Sequence, residues 1–312
     1  MPSSNGDTMP PQAEGTFSAL LQEVERFWTP RPDKPEETAE GLLRALWSTA
    51  SGAPVSIDRA ALAALAPLDA SALERLQQLI ERKKTGEPLA HLTGRQTFLG
   101  IELLASPGAL IPRKETEILG RAALAKIACM AQARGAVTVV DVCTGSGNLA
   151  IAYAHYEPRA RVLASDLEPE AVALARRNCE FAGVAARVEL RTGDLLAPFM
   201  VGEFLGRCDL VSCNPPYISA AKVKEMHPEI SRHEPRAAFD GGVYGVSILM
   251  KLVRSAPRML RPGGWLGFEV GEGQGELLAG QLRRNPAYSS VETSSDSAGQ
   301  VRAVFARATG GE

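Results

Sequence analysis

The stretch "VTVVDVCTGSGN", residues 137–148, decides the fold. A β-branched run passes through Cys143-Thr144-Gly145-Ser146-Gly147 into "NLAIAYAHY" (148–156), a helix-length apolar segment. A strand so nearly continuous in apolar residues is one covered on both faces, as in a parallel sheet. Gly145 and Gly147 let the chain turn sharply between strand and helix, and let backbone approach a ligand where a Cβ would stand in the way.

The same alternation continues downstream. Strands are expected at "ARVLASD" (160–166), "ARVELRTGD" (186–194), "RCDLVSCN" (207–214) and "GGWLGFEVG" (263–271). Helices are expected at 168–183, 246–260 and 274–285, and 288–307 reads as two strands joined by a polar turn. Strand-helix alternation of this kind predicts a doubly wound α/β sheet with helices on both faces. Upstream, "FSALLQEVERFW" (17–28), "ETAEGLLRALWSTA" (37–50), "DRAALAALA" (58–66) and "SALERLQQLIERKK" (71–84) carry apolar residues three and four apart, as Leu73, Leu76 and Ile80 do, with Asp69 or Ser71 available to cap. Residues 1–14 are expected to form a loose polar tail, 15–86 a small helical domain, 87–112 a hairpin linker broken by Gly94 and Gly100, and 113–312 the α/β domain.

Asp166 ends the strand after the glycine turn, about twenty residues beyond Gly145, where a carboxylate can accept the hydroxyls of a ribose. The dinucleotide fingerprint requires a third glycine, whereas Leu149 and Ala150 follow here, and no G-x-x-x-x-G-K-[ST] run is present. A ribose-bearing cofactor without a diphosphate fits this turn, and S-adenosyl-L-methionine is the common one. Its expected seat comprises Cys143, Thr144, Gly145, Ser146, Gly147, Asp166, Asp194, Leu195 and Asn214, with Asp194 or the backbone N–H that follows it at the adenine edge.

Bulk properties narrow the partners. The 312 residues carry a formal net charge of −2, which disfavours a broad cationic footprint for nucleic acid. No apolar run reaches membrane-spanning length and the N-terminus lacks a basic, then apolar, leader, so a cytoplasmic protein without membrane contact is expected. The five cysteines (129, 143, 179, 208, 213) form no C-x-x-C pair, and His91, His155, His227 and His233 show no ligand spacing, so no metal site is expected.

The strand at 207–214 runs into Asn214-Pro215-Pro216-Tyr217. Two prolines remove two donors and fix two φ angles, so the strand must stop and its edge must be stiff. Here the chain resembles the HemK-type family of release-factor glutamine N5-methyltransferases. The resemblance rests on "GEPLAHLTGRQTFLG" (86–100), "LIPRKETE" (110–117), "DVCTGSGN" (141–148), "SDLEPEAVALARRN" (165–178), "NPPYIS" (214–219), "HEPRAAFDGG" (233–242) and "FEVGEGQG" (268–275). It implies a Rossmann-like class I methyltransferase with a mostly parallel seven-stranded sheet, a small N-terminal helical domain and a β-hairpin linker.

The family resemblance also implies roles. The Asn214 side-chain oxygen and the Pro215 carbonyl would each accept one N–H of a substrate amide, with Pro216 supplying stiffness and Tyr217 lying against the amide plane. Phe98 would be a second substrate contact, and Arg113 and Glu117 would support the cofactor loop. The expected partner is a peptide chain release factor presenting the glutamine of its Gly-Gly-Gln motif. Two departures stand out: Cys143 where the family usually has glycine, and Lys114 where it usually has proline. They leave open a paralogue that N-methylates a small molecule, such as an amino acid or guanidino nitrogen; an enzyme acting on nucleic-acid amino groups is the third reading.

Overall fold

The computed structural model describes residues 11–31, 34–216, 233–235 and 247–309. The chain divides into two compact units, Met1–Thr97 and Phe98–Glu312.

The first unit contains α1 (Pro11–Phe27), α2 (Ala39–Ala50), α3 (Ile57–Ala60), α4 (Ala70–Lys84) and α5 (Leu89–Thr93). Their facing stripes bury Leu42, Leu46, Trp47, Leu76 and Ile80 in one core, each such side chain contributing roughly 1.5–3 kcal/mol when removed from water. Asp69, rather than Ser71, caps α4 by accepting from Ala72 N at 2.7 Å. The helix expected over 58–66 stops at Ala60. Leu62 remains 90% exposed, and the Ala66 carbonyl accepts the Trp47 indole N–H at 2.7 Å instead of a helical amide.

Within 87–112 the first residues form α5, closed by Gly94 at φ +66°. The hairpin follows as β1 (Arg95–Phe98) and β2 (Ile101–Leu104). Its two-residue turn, Leu99-Gly100, has positive φ at both positions, the mirror-image turn whose twist matches the strands it joins.

The second unit is built on a seven-stranded sheet ordered β5-β4-β3-β6-β7-β9-β8. Its strands are β3 (Val137–Val142), β4 (Ala160–Asp166), β5 (Val188–Thr192), β6 (Cys208–Cys213), β7 (Leu260–Glu269), β8 (Tyr288–Ser295) and β9 (Val301–Ala308). All neighbours are parallel except β7–β9 and β8–β9. Among the described residues its helices are α6 (Thr116–Arg134), α7 (Asn148–Tyr156), α8 (Pro169–Phe181), α9 (Ser247–Ser255) and α10 (Gly275–Arg283). Period-two alternation sorts the strand side chains between two cores. Val139, Val162 and Leu210 join α6 and α7 on one face; Val140, Leu163 and Val211 join α9 and α10 on the other. The helix expected to reach residue 260 ends at Ser255, because Pro257 has no N–H to continue it and a 3₁₀ turn leads into β7.

β3 sits between β4 and β6, where the strand order reverses. The crevice outside the carboxyl ends of strands at such a switch point is where open α/β sheets bind ligands. Among the described residues, no helix is long and apolar enough to cross a membrane.

Candidate active site

At the carboxyl end of β3 the backbone leaves the sheet through Cys143 at φ +56° and Gly145 at φ +54°, a left-handed conformation that costs glycine little. Gly147, at φ +83°, opens α7, and a Cβ there would come within 3.1 Å of the Ala175 Cβ on α8. Its role is close approach of helix to turn, and it is not part of the cavity wall. The other residues expected to seat the cofactor, namely Cys143, Thr144, Gly145, Ser146, Asp166, Asp194, Leu195 and Asn214, all line one cavity of about 320 Å³. Gly108, Arg113, Thr116, Pro216, Pro235 and Lys251 complete much of the wall.

Asp166 fastens the turn to β4. Its Oδ2 accepts from Gly145 N at 2.8 Å and its Oδ1 from Glu168 N at 3.0 Å. Burial pushes its carboxyl above the usual range, against the pull of those two amides. Each oxygen keeps a lone pair for a further donor. Asp194 is exposed and forms an ion pair with Lys251 Nζ on α9. Leu195, at φ +50°, turns the chain after β5, and the Ser165 hydroxyl donates to its carbonyl at 2.6 Å.

Behind the turn lies Asp141, wholly buried. Its Oδ2 accepts from the Thr144 hydroxyl at 2.6 Å and its Oδ1 from the Ser212 hydroxyl at 2.7 Å. Burial raises its carboxyl to about 6, and the nearby Asp166 charge adds to the rise. One carboxyl group thus ties the glycine turn to the last residues of β6. A second tie is Asn178, also fully buried: its Oδ1 accepts from Leu104 N at 2.6 Å, and its Nδ2 donates to Leu104 O at 3.1 Å and Ser146 O at 3.0 Å.

β6 ends at Cys213 and runs into Asn214-Pro215-Pro216. Asn214 Nδ2 donates to Thr116 Oγ1 at 3.1 Å. That bond occupies the amide nitrogen side and leaves Oδ1 as the free acceptor. Pro215 and Pro216 are buried, and Tyr217 lies outside the described residues. Phe98 is 1% exposed and packs among Leu119, Leu149 and Leu103; the structure puts it in the core, apart from the cavity lining.

The "IPRKETE" segment holds its neighbours at three points. Arg113 Nη2 donates to Glu234 Oε1 at 2.5 Å, and Ile111 N to Glu234 Oε2 at 3.0 Å. Thr116 receives Asn214. Glu117 Oε1 accepts Leu99 N at 3.0 Å, while the Tyr156 hydroxyl donates to Leu99 O at 2.5 Å, fixing the hairpin turn on both sides. Thr116, Asp141, Asn178, Ser212, Glu234 and Lys251 escaped the reading of the sequence. A carboxylate and a hydroxyl within the apolar strands "VVDV" and "LVSC" were the available signal, since a polar group at a buried strand position needs a partner.

Among the described residues, Ser146 Oγ and Arg113 Nη1, on two side chains of the wall, are buried without a hydrogen-bond partner. Unpartnered donors on two residues that line the cavity suit a ligand carrying an anionic group, such as the carboxylate of an amino-acid moiety. The Asp166 carboxylate, also in the wall, suits hydroxyls.

Residues 120–242 match the family model of the methyltransferase small domain, and residues 19–94 that of the PrmC N-terminal domain. The release factor glutamine methyltransferase of Moorella thermoacetica is 36% identical over 92% of this chain and 96% of its own length. That of Geobacter sulfurreducens is 39% identical over 77% and 80%. Among solved structures, the hMettl16 catalytic domain superposes with a TM-score of 0.51 at 13% identity, over 66% of this chain and 75% of that one, which is agreement in fold. With the sheet order, the glycine turn and its acid all in place, and with one such relative aligned over 92% of it, the chain belongs to the family of release factor glutamine methyltransferases.

Proposed function

We propose that the chain transfers a methyl group from S-adenosyl-L-methionine to the side-chain amide nitrogen of the glutamine in the Gly-Gly-Gln motif of a peptide chain release factor. The similarity to release factor glutamine methyltransferases, over 92% and 77% of the chain, supports this substrate over a small molecule. The observation that carries the chemistry is the free Asn214 Oδ1, held at the cavity wall by the bond from its own amide to Thr116.

The cavity falls within the size range of small-molecule sites. Asp166 would hold the ribose, Asp194 and the backbone beside Leu195 the adenine edge, and Ser146 with Arg113 the carboxylate end. When bound, the cofactor supplies an electrophilic methyl carbon on a sulfonium centre.

An amide nitrogen is a poor nucleophile because its lone pair is delocalised into the carbonyl. Asn214 Oδ1 and the Pro215 carbonyl, each taking one N–H, would orient that nitrogen and favour its pyramidal form. Such acceptors stabilise the transition state more than the planar ground state, which raises rate rather than affinity alone. Both acceptors are neutral, and the surplus proton can pass to water after transfer, so no histidine base is required. Tyr217 would close one side of the amide plane. We assign recognition of the release factor body to the helical region 15–86, with 87–112 as the linker.

The test is methyl transfer from labelled S-adenosyl-L-methionine to an intact release factor. Labelling of the Gly-Gly-Gln protein and none of its Gln→Ala variant is expected. Equal labelling of both, or labelling of free amino acids alone, would overturn the assignment.

A further inference from the structure

We propose that Cys143, in the wall of the cofactor cavity, and the buried Cys213 on the neighbouring strand constitute a thiol-modification site, closing to a disulfide under a peroxide-class oxidant and weakening cofactor binding while closed.

The strand register brings the two residues together. β3 and β6 are parallel neighbours with Val142 opposite Cys213, so Cys143 lies one residue beyond its partner's level. A strand spacing of about 4.8 Å and a rise of about 3.3 Å place the two Cα atoms about 6 Å apart, inside the range of roughly 4.4–6.8 Å that a disulfide spans. On extended backbone Cys143 would face away from Val142 and Cys213. Its φ of +56° redirects it, and its side chain packs against the apolar cluster that contains Cys213. The Cys143 side chain lies near enough to act on the Cys213 thiol, and both cysteines are free.

Their exposures assign the roles. Cys143 is partly exposed and lines the cavity, whereas Cys213 is fully buried and burial holds it as the thiol. A small oxidant therefore meets Cys143 first. The Cys143 sulfur attacks one peroxide oxygen, the O–O bond breaks, and sulfenic acid and water result. The Cys213 sulfur then attacks the Cys143 sulfur, the S–S bond forms, and the sulfenic oxygen leaves as water with the Cys213 proton. Two thiols and one hydrogen peroxide give one disulfide and two waters; a dithiol reductant reverses the change.

Cys143 is the first residue of the bend that carries Thr144 and Gly145, and Cys213 directly precedes Asn214. Joining the sulfurs withdraws Cys143 from the cavity wall and alters the bend. A ligand that fills the cavity screens Cys143 in turn. Cys179 and Cys208 are buried and do not line the cavity, so a small oxidant entering it does not meet them. Cys129, exposed on α6, serves as an internal reference.

The full chain is treated with hydrogen peroxide, with and without saturating S-adenosylhomocysteine, then alkylated, digested and mapped by mass spectrometry; affinity for S-adenosylhomocysteine is measured by calorimetry. The expected result is a Cys143–Cys213 cross-link that forms about fivefold more slowly under ligand protection. The cross-linked protein should bind S-adenosylhomocysteine about tenfold more weakly, with recovery in dithiothreitol. Cys213→Ser should lose the cross-link, keep affinity within about threefold, and leave a Cys143 sulfenic acid that dimedone captures. Phenylarsine oxide, which bridges two close thiols without oxidation, should bind the wild-type chain one to one and be blocked by S-adenosylhomocysteine. Oxidation confined to Cys129, or a cross-linked chain that binds the ligand as tightly as the reduced one, would overturn the proposal.

Discussion

Thr116 illustrates how one hydroxyl can set the direction of a neighbouring amide. Its Oγ1 takes the Asn214 Nδ2–H at 3.1 Å, and that leaves the Asn214 carbonyl oxygen for substrate. Thr116→Val removes the partner and frees the amide to rotate. Loss of one buried hydrogen bond of this kind corresponds to about 1–3 kcal/mol, so kcat should fall roughly 10- to 100-fold. Thr116→Ser should restore most of it, and the affinity for S-adenosylhomocysteine should move little in either variant. Equal losses in kcat for Val and Ser would contradict the role. Asp141 permits a second prediction at this scale. Its carboxyl titrates at about 6 in the folded chain against about 4 unfolded. The folded state therefore holds the extra proton between those values. The associated stability is complete below about pH 4 and is lost as pH rises through 6, on the order of 3 kcal/mol in all. Denaturation of wild type and Asp141→Asn across pH 4–7 should show that difference growing with pH; parallel profiles would contradict it. The sequence pointed to Gly145, Asp166 and Asn214 because each follows a strand at a readable spacing. Thr116 was illegible because a threonine in a helix's first turn reads equally as a cap, and its partner lies 98 residues away.

At the level of elements, Asn178 joins α8 to both the end of β2 and the glycine turn through three hydrogen bonds. Asn178→Ala leaves three backbone groups without that partner, at a cost of roughly 2–4 kcal/mol. A fall in Tm of roughly 5–12 °C is expected for a domain of this size, together with weaker S-adenosylhomocysteine binding. An unchanged Tm would show that the tie is dispensable. Strand-helix alternation was legible here because buried parallel strands are nearly continuous apolar runs and their helices are not. The limits of the elements were less so. Ala60 and Ser255 end their helices for reasons outside local periodicity: the Ala66 carbonyl is taken by the Trp47 indole in one case, and Pro257 interrupts the helix in the other. The aromatic Phe98 was ambiguous for a similar reason, since a core ring and a substrate-facing ring look alike in sequence.

For the molecule as a whole, two units, Met1–Thr97 and Phe98–Glu312, carry the proposed division between recognition and chemistry. If region 15–86 recognises the body of the release factor, kcat/KM for the intact protein should exceed that for a short Gly-Gly-Gln peptide by about 100-fold, a coupling of about 3 kcal/mol. Equal values would place all recognition at the cavity. The central claim, however, is that the edge of β6 orients an amide beside a separately built cofactor seat. The measurement that tests it most directly is single-turnover methyl transfer by Asn214→Ala, read beside its affinity for S-adenosylhomocysteine. The account predicts at least a roughly 100-fold loss of rate, about 3 kcal/mol of transition-state stabilisation, with affinity within a few-fold of wild type. A rate within threefold or so of wild type would contradict it.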